Sequence, residues 1–209
     1  MKRLLYALAI LIALCPPVRG AEVSGGVALT FDDCSRDTLD VLERMGAKGT
    51  FFLREPQPEI AQELLEKGHE VGLSLENEPD VTLYSRRQIY GLLCARQEGF
   101  PKKYRPTWVR PPAQWGDGLV QVAKATRMSL LLWSRDARQR PDPAWMDHIR
   151  SGDVIALGDI SPGALAELIQ VLRSRHLEPM TVSELALELD VDILPGRIYR
   201  KFPAGRRGI

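Results

Sequence analysis

Seven short apolar runs, at residues 27–31, 50–53, 70–73, 107–110, 128–133, 154–157 and 179–182, are separated by segments with helical periodicity. Runs this short and this continuously apolar suit strands buried on both faces, as in a parallel sheet. The intervening segments carry helix signals. Leu39, Val41, Leu42 and Met45 form an apolar stripe closed by Gly46. Pro58 opens a second helix that Gly68 follows, Ser85 with Gln88 matches a capping box, and Asp142-Pro143 reads as a cap and first helical position. Later helices fall at 164–175 and 183–189. Strand-then-helix units in unbroken series imply parallel strands joined by right-handed crossovers. Periodicity leaves an open sheet and a closed barrel both available. The polar residues favour the barrel: Asp32 and Asp33 follow the first run, Ser74 and Glu78 the third, Arg110 ends the fourth, Asp136 follows the fifth and Asp159 the sixth. In a parallel barrel those C-terminal strand ends converge on one face.

The first twenty residues stand apart. Lys2 and Arg3 precede an apolar stretch over 4–15, and Val18-Arg19-Gly20 precedes Ala21, the pattern of a secretory signal peptide. The stretch is too short to span a bilayer, which takes about 20 apolar residues. The expected layout is a signal peptide over 1–20, an α/β barrel over 21–190 and a basic tail over 191–209. The mature chain is expected to be secreted or periplasmic, with no transmembrane segment. Beyond the leader only Cys34 and Cys94 remain, read as core or idle thiols rather than a disulfide framework. The tail holds Arg197, Arg200, Lys201, Arg206 and Arg207 on an otherwise acidic body and reads as a frayed, solvated terminus. Nothing in the charge pattern points to nucleic acid.

The motifs, in order, resemble those of the NodB-type polysaccharide deacetylases, the fourth family of carbohydrate esterases. Thr30-Phe31-Asp32-Asp33 matches the family's opening motif, with Cys34 in place of the usual glycine. Lys48-Gly49-Thr50-Phe51-Phe52 is similar to its second strand, and Gly68-His69-Glu70-Val71-Gly72 to the lead-in to its metal loop. Val109-Arg110-Pro111-Pro112 resembles the arginine motif, Trp133-Ser134-Arg135-Asp136 the tryptophan-aspartate motif, and residues 152–157 the final strand. The resemblance implies a distorted seven-stranded β/α barrel, in agreement with the strand count above.

It also implies a set of roles. Asp32 corresponds to the catalytic base, Arg110 to the arginine that orients it and Asp136 to the aspartate that positions the arginine. Leu157 corresponds to a residue of the acetate pocket, and Trp115 is the tryptophan expected at the mouth, available to stack on a sugar. The family holds one divalent ion, often zinc, with an aspartate and two histidines. Asp33 matches the aspartate, but Ser74 and Glu78 stand at the histidine positions. The family's general acid, a histidine in Leu-His-Asp, is replaced in Leu157-Gly158-Asp159. The three histidines present, His69, His148 and His176, lie elsewhere.

Loss of a general acid costs ~10²–10⁴ in rate, and loss of the metal several kcal/mol more. The leading expectation is therefore a degenerate deacetylase-like protein of the cell envelope, binding a polysaccharide or peptidoglycan-like glycan or serving as a scaffold, with no firmly held cofactor. An alternative is an active carbohydrate deacetylase with an altered site on Asp33, Glu78 and Ser74, which suits a weakly held Mg²⁺ or Ca²⁺ better than zinc. A third reading, a glycosidase with Asp32 and Glu78 as paired carboxylates, rests on those two acids alone.

Overall fold

The computed structural model describes residues 25–32, 34–138 and 143–203. Its strands are β1 (Gly25–Phe31), β2 (Thr50–Leu53), β3 (Glu70–Ser74), β4 (Trp108–Arg110), β5 (Ser129–Leu131), β6 (Arg135–Asp136), β7 (Val154–Leu157), β8 (Leu177–Met180) and β9 (Ile198–Tyr199). The helices are α1 (Arg36–Met45), α2 (Pro58–Glu66), α3 (Arg86–Gln97), α4 (Asp117–Ala125), α5 (Pro162–Ser174) and α6 (Val182–Glu188). Each of the seven apolar runs yields a strand, and β6 and β9 are additional two-residue pieces. No helix among the described residues is long and apolar enough to cross a membrane. The expected signal peptide lies outside the described residues.

Local chemistry sets the element ends. Ser35 accepts the Thr38 N–H at 3.1 Å to start α1, and Gly46, at φ 58°, ends it in the left-handed conformation that glycine tolerates. Ser85 and Gln88 form the expected capping box of α3, and Thr181 with Glu184 forms another at α6. That second box explains why β8 ends at Met180 rather than at 182: Thr181 already serves the helix. The helix expected from residue 143 is instead a 3₁₀ stretch, Pro143–His148; its expected cap, Asp142, lies outside the described residues.

Every strand pairing is parallel, in the order β6-β7-β1-β2-β3-β4-β5-β9, with β8 also on β1. Ala28 is the partner of both Val154 and Met180, so β7 and β8 flank β1 on opposite edges. β8 and β2 therefore take successive stretches of one edge, which distorts the barrel. Side chains alternate along each strand. Val27, Leu29, Phe31, Phe51, Val109, Ile155 and Leu157 belong to the main core with α1 and α5, whereas Ala28, Phe52, Trp108, Leu131 and Val154 form a second, interior cluster. The interior file of β1 continues upward through Thr30 to Asp32.

The gap between β5 and β7 is closed in two ways. At the mouth, β6 pairs with β7. Below it, the C-terminal segment pairs with β5 through Ile198 and Tyr199 and then reaches Asp153 through Lys201. Phe202 donates its N–H to the Gly152 carbonyl at 2.8 Å and is fully buried. Gly152 has φ +85°, and a β-carbon there would lie 1.9 Å from the Phe202 carbonyl oxygen, so only glycine lets the segment seat. Trp108, Tyr199 and Phe202 pack as an aromatic trio with centroids 5.4–6.4 Å apart. The expectation of a frayed tail thus fails for residues 191–203, where Val191, Ile193, Tyr199 and Phe202 pack into the second cluster; residues beyond 203 lie outside the description. No disulfide joins Cys34 to Cys94.

Candidate functional site

The site is built on the interior file at the C-terminal ends of the strands. Arg110, at the end of β4, is fully buried and forms an ion pair through Nη1 with Asp32 Oδ1. Its Nη2 donates to Thr30 Oγ1 at 2.7 Å, and that hydroxyl donates to the Ile155 carbonyl at 2.8 Å. The guanidinium carbon lies 4.2 Å from the centroid of the Phe52 ring. Burial pulls the Arg110 pKa down and Asp32 opposes the shift; arginine stays charged regardless. Nε of Arg110 is buried without a hydrogen-bond partner.

The second oxygen of Asp32 is also taken. Arg138 Nη1 donates to Asp32 Oδ2 at 3.1 Å and to Glu76 Oε1 at 2.6 Å. Its Nε and Nη2 grip Asp136 in a fork, at 3.0 and 2.9 Å. The guanidinium lies 3.9 Å over the Trp133 ring, whose other neighbour is Arg110 at 5.4 Å. Hydrogen bonds from Arg138 hold the Asp136 carboxyl below the usual carboxylate range, and Asp136 in turn pushes the Arg138 pKa up.

Of the residues matched to catalytic roles, Asp32 and Arg110 come together as expected. Asp136 is a correction: it was expected to position Arg110 but forms its hydrogen bonds with Arg138. Arg138, in the turn just after β6, was missed as a site member. Glu76 and Trp133 were also missed as site members. Trp133, at the end of the apolar run 128–133, lies past the end of β5 and is half-buried. Leu157 is fully buried in the outer layer against the helices, and Trp115 is half-buried, packed on the main core just before α4. His69 is buried at the start of β3, where its Nδ1 accepts the Gly49 N–H at 3.3 Å.

Two hollows flank the Asp32–Arg138 contact. One, about 580 Å³, is lined by Arg138, Trp145, Met146, Asp159, Ser161 and Leu168. The other, about 190 Å³, includes Asp32, Cys34, Phe52 and Arg54.

A polysaccharide deacetylase family model matches residues 20–130, more than half of the 209-residue chain. The chain belongs to the polysaccharide deacetylase family. Among its relatives in that family, the peptidoglycan-N-acetylglucosamine deacetylase PgdA of Listeria monocytogenes is 28% identical over 196 residues, covering 81% of this chain. The chain spans only 41% of that relative's length. A family 4 acetyl xylan esterase from Clostridium thermocellum, solved with a cobalt ion, superposes with a TM-score of 0.72 at 26% identity, covering 85% of this chain and 98% of its own. A mutant of a family 4 pseudoenzyme with restored enzymatic activity superposes at a TM-score of 0.67 and 24% identity, covering 79% of this chain and 69% of its own, a likeness of fold.

Membership in the polysaccharide deacetylase family raises the question of its divalent ion. Asp33 lies outside the described residues. Ser74 is 1% exposed, and its hydroxyl accepts the Glu76 N–H at 3.3 Å. Glu78 is ion-paired with Arg96 Nη2 through Oε1. A zinc site needs three or four nitrogen, sulfur or carboxylate donors turned inward. Here one histidine position carries a buried hydroxyl and the other a carboxylate engaged elsewhere. Among the described residues, no three His, Cys, Asp or Glu side chains come together to hold a metal. The described donors therefore do not fit the family's metal.

Proposed function

We propose that this protein is a catalytically silent polysaccharide deacetylase relative that binds an envelope glycan at the barrel mouth, outside the cytoplasm. The observation that carries this reading is the double engagement of Asp32: Arg110 holds one carboxylate oxygen and Arg138 the other. A general base must receive a proton from water through an available oxygen. Two arginines on one carboxylate leave neither oxygen available. The leader pattern over 1–20 supports export. The name of the Listeria relative, a peptidoglycan deacetylase, supports a cell-wall glycan as the ligand class. The larger hollow supports sugar binding, since it joins the apolar side chains of Trp145, Met146 and Leu168 to the polar Arg138, Asp159 and Ser161.

The test is to incubate the purified protein with N-acetylated chitooligosaccharides or peptidoglycan fragments, with and without Zn²⁺, Co²⁺ or Mn²⁺, and to measure acetate and glycan binding separately. Acetate stays at background, and weak saturable binding falls in Trp145→Ala. Metal-dependent acetate release that Asp33→Ala abolishes would replace this reading with the altered-site deacetylase. Absence of any glycan binding would sink the binding role.

A further inference from the structure

Arg138 brings a cation into the centre of the site from within the chain. Its guanidinium meets carboxylates from three separate places: Asp32 after β1, Glu76 after β3 and Asp136 in β6. With Arg110, two positive groups face three negative ones. The side chain is largely enclosed, at 22% exposure, and it rests on the Trp133 ring. Its place depends on Gly158. A β-carbon at 158 would lie 3.2 Å from Arg138 Cγ and 3.3 Å from its Cβ. That is closer than packed carbon atoms sit comfortably, which is about 3.5–4.0 Å. Gly158 does not have the positive φ that would call for glycine on backbone grounds, so what the glycine supplies is space.

We infer that Arg138 is the resident cation of the carboxylate cluster formed by Asp32, Glu76 and Asp136, and that Gly158 is the partner residue that admits it. The assignment deepens the reading of the site as silent and rests on it. The one guanidinium satisfies Asp32, Glu76 and Asp136 together. The general-acid position and the cation position are then coupled. A histidine at 158 and an arginine at 138 compete for one volume, and the chain has taken the arginine.

A double-mutant cycle with a metal titration tests this. Gly158→His lowers the Tm of the wild-type protein by roughly 5 °C, and by less than half as much in an Arg138→Ala background. Gly158→Ala, a smaller change, gives the same pattern at lower amplitude should the histidine variant not fold. Wild-type Tm is unchanged by EDTA and by millimolar Mn²⁺ or Zn²⁺. Equal costs of the position-158 substitution in both backgrounds would overturn the coupling. Saturable, stoichiometric metal binding by the wild-type protein that Glu76→Ala removes would overturn the resident cation. Loss of glycan binding, by contrast, would sink the proposed function while leaving the cycle intact.

Discussion

Arg110 and Asp32 form an ion pair inside the barrel, with side-chain exposures of 0% and 5%. Such a pair contributes little net stability when intact, because burial costs both charges their hydration. Removing one partner strands the other, at about 3–5 kcal/mol. Asp32→Ala is therefore expected to lower unfolding stability by that amount, measured by urea denaturation. Arg138 does not rescue the loss, since it carries the same charge as the stranded arginine. A cost under about 1 kcal/mol would mean that Arg110 finds water or another acid.

The C-terminal segment makes a second prediction. Phe202 is fully buried against Trp108 and Tyr199, so Phe202→Ala costs about 3–5 kcal/mol. Lys201→Ala costs no more than ~1 kcal/mol. Lys201 is 43% exposed, and Asp153 keeps hydrogen bonds from Ser134, Arg135 and the Arg150 N–H. Thermal melts of the two variants rank the contributions; the opposite ranking would show that the latch is electrostatic.

His69 predicts a limb of the pH–stability curve. Burial, with Lys67 and Lys48 nearby, lowers its pKa from 6.5 to about 4. The folded state resists a proton that the unfolded chain accepts. Stability is fully present above the unfolded pKa and declines as pH falls toward about 4, by on the order of 3 kcal/mol if fully expressed. His69→Asn, which offers an oxygen to the Gly49 N–H, flattens this limb in urea titrations at pH 7 and pH 4.5. An unchanged slope would place the effect on other groups.

Glu70 supplies a fourth. Its buried carboxylate accepts from Trp108 Nε1 at 3.0 Å on one oxygen and from the Ser183 N–H at 3.1 Å on the other. Both donors are obligate. Glu70→Gln must turn an amide NH₂ toward one of them, at a cost of about 1–3 kcal/mol. Chemical denaturation decides the point, and a neutral result would require the side chain to leave its pocket.

Much of the architecture was legible because strand and helix signals are local. The capping box at Ser85, the proline at the start of α2, and continuous apolar runs declare elements within a few residues. The pairing of Arg110 with Asp32 was implied by the family resemblance, and the converging strand ends only placed both on one face. Arg138 stayed hidden because it follows a strand of only two residues, and its partners Asp32 and Glu76 are 106 and 62 positions away. Nothing in its neighbourhood distinguishes it from a solvated surface arginine.

The sequence by itself determined the succession of parallel strand–helix units, the family motifs, and that Ser74, Glu78 and Gly158 stand where the resemblance would put histidines. These are properties of residue type and short spacing, and they hold wherever the chain goes. Only the tertiary structure decided that Asp136 holds Arg138 rather than Arg110, that Glu78 turns to Arg96, and that the C-terminal segment closes the barrel. Each is a choice among partners of similar chemistry. Such a choice is settled by which side chains reach one another once burial, packing and the direction of each strand are fixed.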